Sequence, residues 1–141
     1  MTIIQSSNAP LWLSADGVTY KQLVCLENYT LKQTTTVNKT LTFCGLAVGV
    51  GIVEYDIQFS GVYENNKTAT QVTFDDAFTW QNTGVLVFWK IIFPTNGSVG
   101  AVPITLAGQV YVTDLSVPFA VNTAVKFTGT LTGNGLITKT P

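Results

Sequence analysis

The stretch Asn28–Phe43, NYTLKQTTTVNKTLTF, decides how the rest of the chain is read. Taken with a period of two, Thr30, Lys32, Thr34, Thr36, Asn38, Thr40 and Thr42 fall on one face. Tyr29, Leu31, Val37, Leu41 and Phe43 fall on the other, interrupted by Gln33, Thr35 and Lys39. Successive side chains of an extended strand point to opposite sides, so this spacing predicts a long strand or hairpin with one greasy and one wet face. The wet face carries hydroxyls and amides and almost no charge.

Low charge extends to the whole chain. Of 141 residues, 7 are basic and 8 acidic, for a net charge of -1 and 11% charged residues. Soluble domains average roughly 25%. The mean hydropathy is +0.32 and the pI about 5.1. A chain of this length is expected to form one domain, hiding about 68–70% of its unfolded surface on folding. With so little charge to hydrate it, the folded surface is expected to be covered by other protein chains or by lipid. The longest weakly polar runs, Phe43–Val53 and Val85–Phe93, are broken by glycines and by Lys90. Both fall short of the roughly 18–20 apolar residues of a spanning helix. The opening MTIIQSSNAPLW has neither a basic region nor an apolar core, so no export signal is expected and membrane insertion is not. Cover by protein chains is the expectation that remains.

Outward from the threonine stretch, the chain reads as strand after strand. Tyr20–Leu26 leads in, and Val53–Tyr63 alternates with Val53, Tyr55, Ile57 and Phe59 on one face and Glu54, Asp56, Gln58 and Ser60 on the other. Residues 64–67 form a turn-rich corner. Val85–Phe93 is a continuous apolar run, as in a strand buried on both faces, and Pro94-Thr95-Asn96-Gly97 closes it. Ile104–Thr113 and Thr123–Thr132 alternate again, and Gly133-Asn134-Gly135 reads as a hairpin turn into Leu136–Lys139. One segment differs. Thr73 followed by Asp75 and Asp76 resembles a helix start, and Gly84 a helix stop, with Ala77, Phe78 and Trp80 available for docking. The predicted fold class is mainly β: an antiparallel β-sandwich or partly closed barrel with one short flanking α-helix and a long β-hairpin. Residues 1–17 are read as an N-terminal arm and 18–141 as the single β domain. Within the arm, Leu11, Trp12 and Leu13 have no evident partner.

Chemistry is conspicuous by its absence. The chain has no histidine, which removes the commonest general base and the commonest metal ligand. Cys25 and Cys44 alone make no usual zinc site, and without an export signal two free, buried thiols are expected. Sequons at Asn28, Asn38, Asn66 and Asn96 are the chance product of a Thr- and Asn-rich composition. Glu54 and Asp56 share a strand face and would have the spacing of an acid/base pair, but solvating the outer face of a strand explains them more simply. No glycine cluster has the context of a phosphate loop. No catalytic, cofactor or metal site is expected, and the protein is not expected to be an enzyme. All seven basic residues are scattered lysines and arginine is absent, so nucleic-acid recognition through clustered or bidentate contacts is not expected either.

The order of these pieces resembles a known family. An arm precedes a hairpin with one polar face, then Gly45-Leu46, then a strand ending in Ser60-Gly61-Val62-Tyr63. A short helix containing Asp76-Ala77-Phe78 follows, then a strand ending in Phe93-Pro94, a strand around Leu106–Val110 and a last strand Phe127–Gly135. Over residues 18–138 this order resembles the major tail tube proteins of long-tailed, siphovirus-type bacteriophages. The resemblance implies a structural subunit that self-assembles into stacked hexameric rings, the conduit for genome delivery. The hairpin, placed within residues 20–43, would line the bore with Thr30, Lys32, Thr34, Thr36, Asn38, Thr40 and Thr42. Lys32 departs from the neutral-to-acidic character of such bores. Loops and the arm, with Leu11, Trp12 and Leu13, would hold successive rings together. The resemblance further implies partners in the tail tip, terminator and tape measure proteins, DNA that passes without specific binding, and a place in the virion tail after assembly in the host cytoplasm. The alternatives are another viral or pilus-like β subunit, such as a capsid protein, the tube of a contractile secretion machine, and a carbohydrate-binding β-sandwich.

Overall fold

The structure, a computed structural model, describes residues 9–23, 26–63, 71–94, 102–119, 121 and 124–141. The corner at 64–67, the turn at 95–97 and Cys25 lie outside them. The chain runs β1 (Leu11–Ser14), β2 (Lys21–Leu23), β3 (Leu26–Thr42), β4 (Gly45–Val62), β5 (Gln71–Val72), α1 (Phe74–Thr83), β6 (Leu86–Phe93), β7 (Ile104–Ser116), β8 (Lys126–Gly133) and β9 (Thr138–Thr140). All nine strands join one mixed sheet in the order β3-β4-β8-β7-β6-β1-β2-β5, with β9 also paired to β7. All pairings are antiparallel except β2 with β5.

The sheet curls over a single core. Ile57 and Phe59 from β4, Phe127 and Leu131 from β8, Val110 from β7, Val87 and Trp89 from β6, and Leu11 and Leu13 from β1 are all buried in one cluster. These residues recur at every second position, as a one-sided sheet requires. Links across the curl join distant strands. The Tyr29 hydroxyl donates to the Ala9 carbonyl, and the Trp89 Nε1–H donates to the Tyr55 hydroxyl over 3.1 Å. That hydroxyl also donates to the Gln109 carbonyl at 2.6 Å and accepts from the Gln109 N–H at 3.1 Å. Gly108 and Gly133 leave the room Tyr55 occupies: a Cβ on Gly133 would stand 2.5 Å from its ring, and one on Gly108 2.6 Å from its hydroxyl. The sheet is not closed, since β3 and β5 remain its edges. A sandwich-like curled sheet with one helix is therefore the fold observed among the described residues.

Helix α1 has the expected ends. The Asp76 carboxylate accepts the Thr73 backbone N–H at 3.1 Å, and Gly84 ends the helix in the left-handed region at φ 67°. Ala77 is buried and Trp80 packs on the core, whereas Phe78 stays half exposed.

Several expectations are corrected. Leu11 and Leu13 do have partners within the domain: β1 lies between β6 and β2, and both side chains are fully buried. A three-residue apolar run beside a proline looks unpartnered because its neighbours, β6 and β2, include a strand 75 or more residues away in sequence (Leu11↔Ile91). The boundary drawn after residue 17 thus cuts through the sheet, and Leu11 and Leu13 are consumed by the core. Trp12, on the opposite face, stacks under the Lys90 ammonium with Tyr20, at 5.8 Å and 4.4 Å from the two ring centres. The hairpin is not confined to residues 20–43; its second arm is β4. Gly133-Asn134-Gly135 is not a hairpin turn, because β9 does not pair with β8. It continues beside β7, at Thr105–Ala107, after β8 has paired with Val110–Ser116, and the Asn134 N–H bonds Gln109 across the gap. β6 buries one face fully and the other partly. Cys44 is free and exposed at the hairpin turn, not buried.

Candidate functional site: the threonine-lined face and the hairpin tip

The hairpin forms because both arms alternate and a short turn joins them. Thr42 pairs with Gly45 across Phe43-Cys44; the Thr42 hydroxyl donates to the Gly45 carbonyl at 2.8 Å and accepts the Cys44 N–H at 3.2 Å. Gly45 adopts φ 117°, where a side chain would be strained.

Register then assembles the wet face. Thr30, Lys32 and Thr34 stand opposite Gln58, Asp56 and Glu54. Between Thr35 and Val37 the register shifts: two steps on β3 match three on β4. This bulge reverses the parity of β4 and leaves that of β3 unchanged. Asn38, Thr40 and Thr42 therefore stand opposite Gly49, Ala47 and Gly45, while Leu41 stands opposite Leu46 and Lys39 opposite Val48. Without the bulge, Leu46 and Val48 would join the wet face. Of the seven residues expected to share a face, Thr30, Lys32, Thr34, Thr40 and Thr42 share one by register, and Thr36 falls at the bulge itself.

The face is wider than the hairpin. Across β4 it continues with Thr128, Thr130 and Thr132 of β8, opposite Ser60, Gln58 and Asp56. Across β8 it continues with Ser116 and Asp114 of β7. Here a second bulge at Thr113 resets parity; its hydroxyl lies 2.7 Å from that of Thr132. An open polar depression of about 360 Å³ lies between Thr30, Gln58, Ser60, Asp114, Thr128 and Thr130. Sequence reasoning missed these β8 and β7 residues as part of the site, although Thr128, Thr130 and Thr132 keep the same period of two. Lys126, near this face, pairs with Glu27 at 3.2 Å.

The two halves of the hairpin differ on their other face. Near the body, Tyr55, Ile57 and Phe59 are buried. Toward the tip, Val37 is 50%, Leu41 83%, Leu46 58% and Val48 60% exposed, and Phe43 is fully exposed. The edges are equally unfinished. β3 pairs only with β4, and β4 pairs with β8 only from Asp56 to Val62. Among the described residues, both long edges of the outer hairpin therefore lack a strand partner. No group of His, Cys, Asp and Glu among them is arranged to hold a metal ion. Nor is any described helix long and apolar enough to cross a membrane.

No protein-family model matches the chain, and no curated protein does. Solved structures do share its fold. A chain in the tail of an empty gene transfer agent particle, refined with C6 symmetry, superposes with a TM-score of 0.75 over 97% of this chain and 98% of that one, at 13% identity. The SPP1 tail tube, from solid-state NMR and cryo-EM, superposes at 0.71 over 97% and 78%, also at 13% identity. A chain of the sheath–tube complex of the contractile injection system PVC gives 0.63 over 94% and 87%, at 12% identity. At these identities the likeness is one of fold.

Proposed function

We propose that this protein is a structural subunit that self-assembles into stacked six-membered rings, forming a phage-type tail tube whose bore is lined by the threonine face of the hairpin. The observation that carries the reading is the outer hairpin itself. Two long strand edges without partners and an apolar back in solvent form an aggregation hazard in a lone subunit. Side-by-side pairing of the β3 edge of one copy with the outer β4 edge of the next removes both edges and completes a barrel. The fold shared with a particle tail of C6 symmetry supports six copies per turn. Such a subunit needs no catalytic group, and its wall of hydroxyls hydrates the surface without gripping what passes.

The proposal extends to DNA as the passing cargo, to tail tip, terminator and tape measure proteins as partners, and to the virion tail as location, following assembly in host cytoplasm. The role of an arm between rings is kept for residues 1–8 alone, because β1 is consumed by the core. Replacing Leu41, Leu46 and Val48 together with serine tests the reading. The variant is expected to stay folded, with stability within about 0.5 kcal/mol of wild type per exposed site, and to sediment as a monomer under conditions where wild type forms large assemblies. Wild-type assembly by the triple variant would overturn the reading.

A further inference from the structure

On the wall of a channel for a polyanion, a lysine is a liability. Each phosphate it neutralises releases counterions and holds the nucleic acid in place. Lys32 sits on the threonine face, and the β3–β4 register places Asp56 directly opposite it. Directly opposed residues of an antiparallel pair have Cβ atoms about 4.5–5.5 Å apart, so the two charges are neighbours on one face. Asp56 is partly buried, and its Oδ1 is buried without a hydrogen-bond partner. A desolvated carboxylate oxygen is costly unless a donor or an opposite charge reaches it. Around it on that face stand Lys32 and Thr132 across the strands and Glu54 and Gln58 along β4. Only Lys32 brings a positive charge.

Lys126 is already paired with Glu27. Glu54 and Asp114 stand opposite Thr34 and Thr130, with no cation facing them. The face therefore sets a carboxylate beside each of these two lysines, Glu27 by ion pair and Asp56 by register, and keeps a surplus of negative charge. We infer that Asp56 is a positioning residue for transport: it holds the Lys32 ammonium against the wall and keeps it from engaging the phosphates of DNA in the bore. This rests on the tube reading and assigns a specific role within it.

The test uses assembled tubes of wild type, Asp56→Asn, and Asp56→Asn with Lys32→Thr, pelleted with a fluorescent duplex DNA oligonucleotide. Asp56→Asn tubes are expected to retain several-fold more DNA than wild type. Their excess should fall about three- to fourfold between 50 and 200 mM salt for each phosphate contacted, and Lys32→Thr should abolish it. Asp56→Asn tubes with wild-type retention, or an excess that survives Lys32→Thr, would overturn this inference while leaving the tube intact. Failure of wild type to form tubes would instead overturn the tube reading and this inference with it. Should Asp56→Asn not assemble, the charge swap Lys32→Asp with Asp56→Lys keeps both charges on the face. It is expected to retain DNA at the wild-type level, and strong salt-sensitive retention by swapped tubes would contradict the proposal.

Discussion

The inner and outer halves of β4 obey the same alternation and end in opposite fates. From Tyr55 to Phe59 the apolar residues enter the core, and Ile57 is completely buried. Toward the turn, Leu46 and Val48 face solvent in the single subunit. Local pattern is identical in kind; the difference is what lies behind it. The inner half has β8 beside it and the rest of the curled sheet beneath it, and the outer half has neither. One half is completed within the subunit, the other is not.

Mutations sharpen this contrast. Ile57→Ala removes apolar volume from a site with no exposure, so it is expected to cost the subunit about 2–5 kcal/mol in chemical denaturation. Serine at the outer apolar sites should leave that curve nearly unmoved and act on assembly alone. A large stability loss from the outer sites would break the contrast. Gly133→Ala, on β8, is a smaller perturbation that reaches the inner half through Tyr55. Its Cβ would meet the Tyr55 ring at 2.5 Å and disturb the Trp89–Tyr55–Gln109 hydrogen bonds, for an expected loss of about 1–3 kcal/mol by overpacking.

The smallest effect concerns the β1–β2 turn. The Asp16 carboxylate accepts the N–H groups of Val18 and Thr19 and the Ser14 hydroxyl, at 2.8, 2.9 and 2.7 Å, which holds its pKa down to about 2. These bonds favour the ionised form. A folded-state pKa below the unfolded value means the contribution is complete above about pH 4 and is lost as pH falls toward 2. Asp16→Asn is therefore expected to lower the melting temperature slightly at neutral pH and to flatten the acid limb of the stability profile between pH 4 and 2. An unchanged acid limb would contradict this role.

Much of this was legible in residue spacing. Period-two alternation located β3, the inner half of β4, and the Thr-lined face, and the Thr73–Gly84 signals located the helix. What spacing hid was long-range. β1 is a short apolar run whose partners lie far along the chain, so Leu11 and Leu13 looked free when they are core. Bulges on β4 and at Thr113 reverse parity mid-strand, so a reading with fixed alternation breaks β4 at Val53 and ends β7 three residues early. Phe43-Cys44 carries none of the usual turn residues, which concealed the hairpin's second arm. Lys32 looked isolated among threonines because Asp56 sits 24 positions later and only the β3–β4 register brings it opposite.

A cryo-EM reconstruction of the purified, assembled protein tests the central claim most directly. The account predicts a hollow tube of stacked six-fold rings, with Thr30, Thr34 and Thr40 on the bore and the outer edge of β4 hydrogen-bonded to β3 of the adjacent copy. A protein that stays monomeric at high concentration, or a tube with the threonine face turned away from the bore, would contradict it.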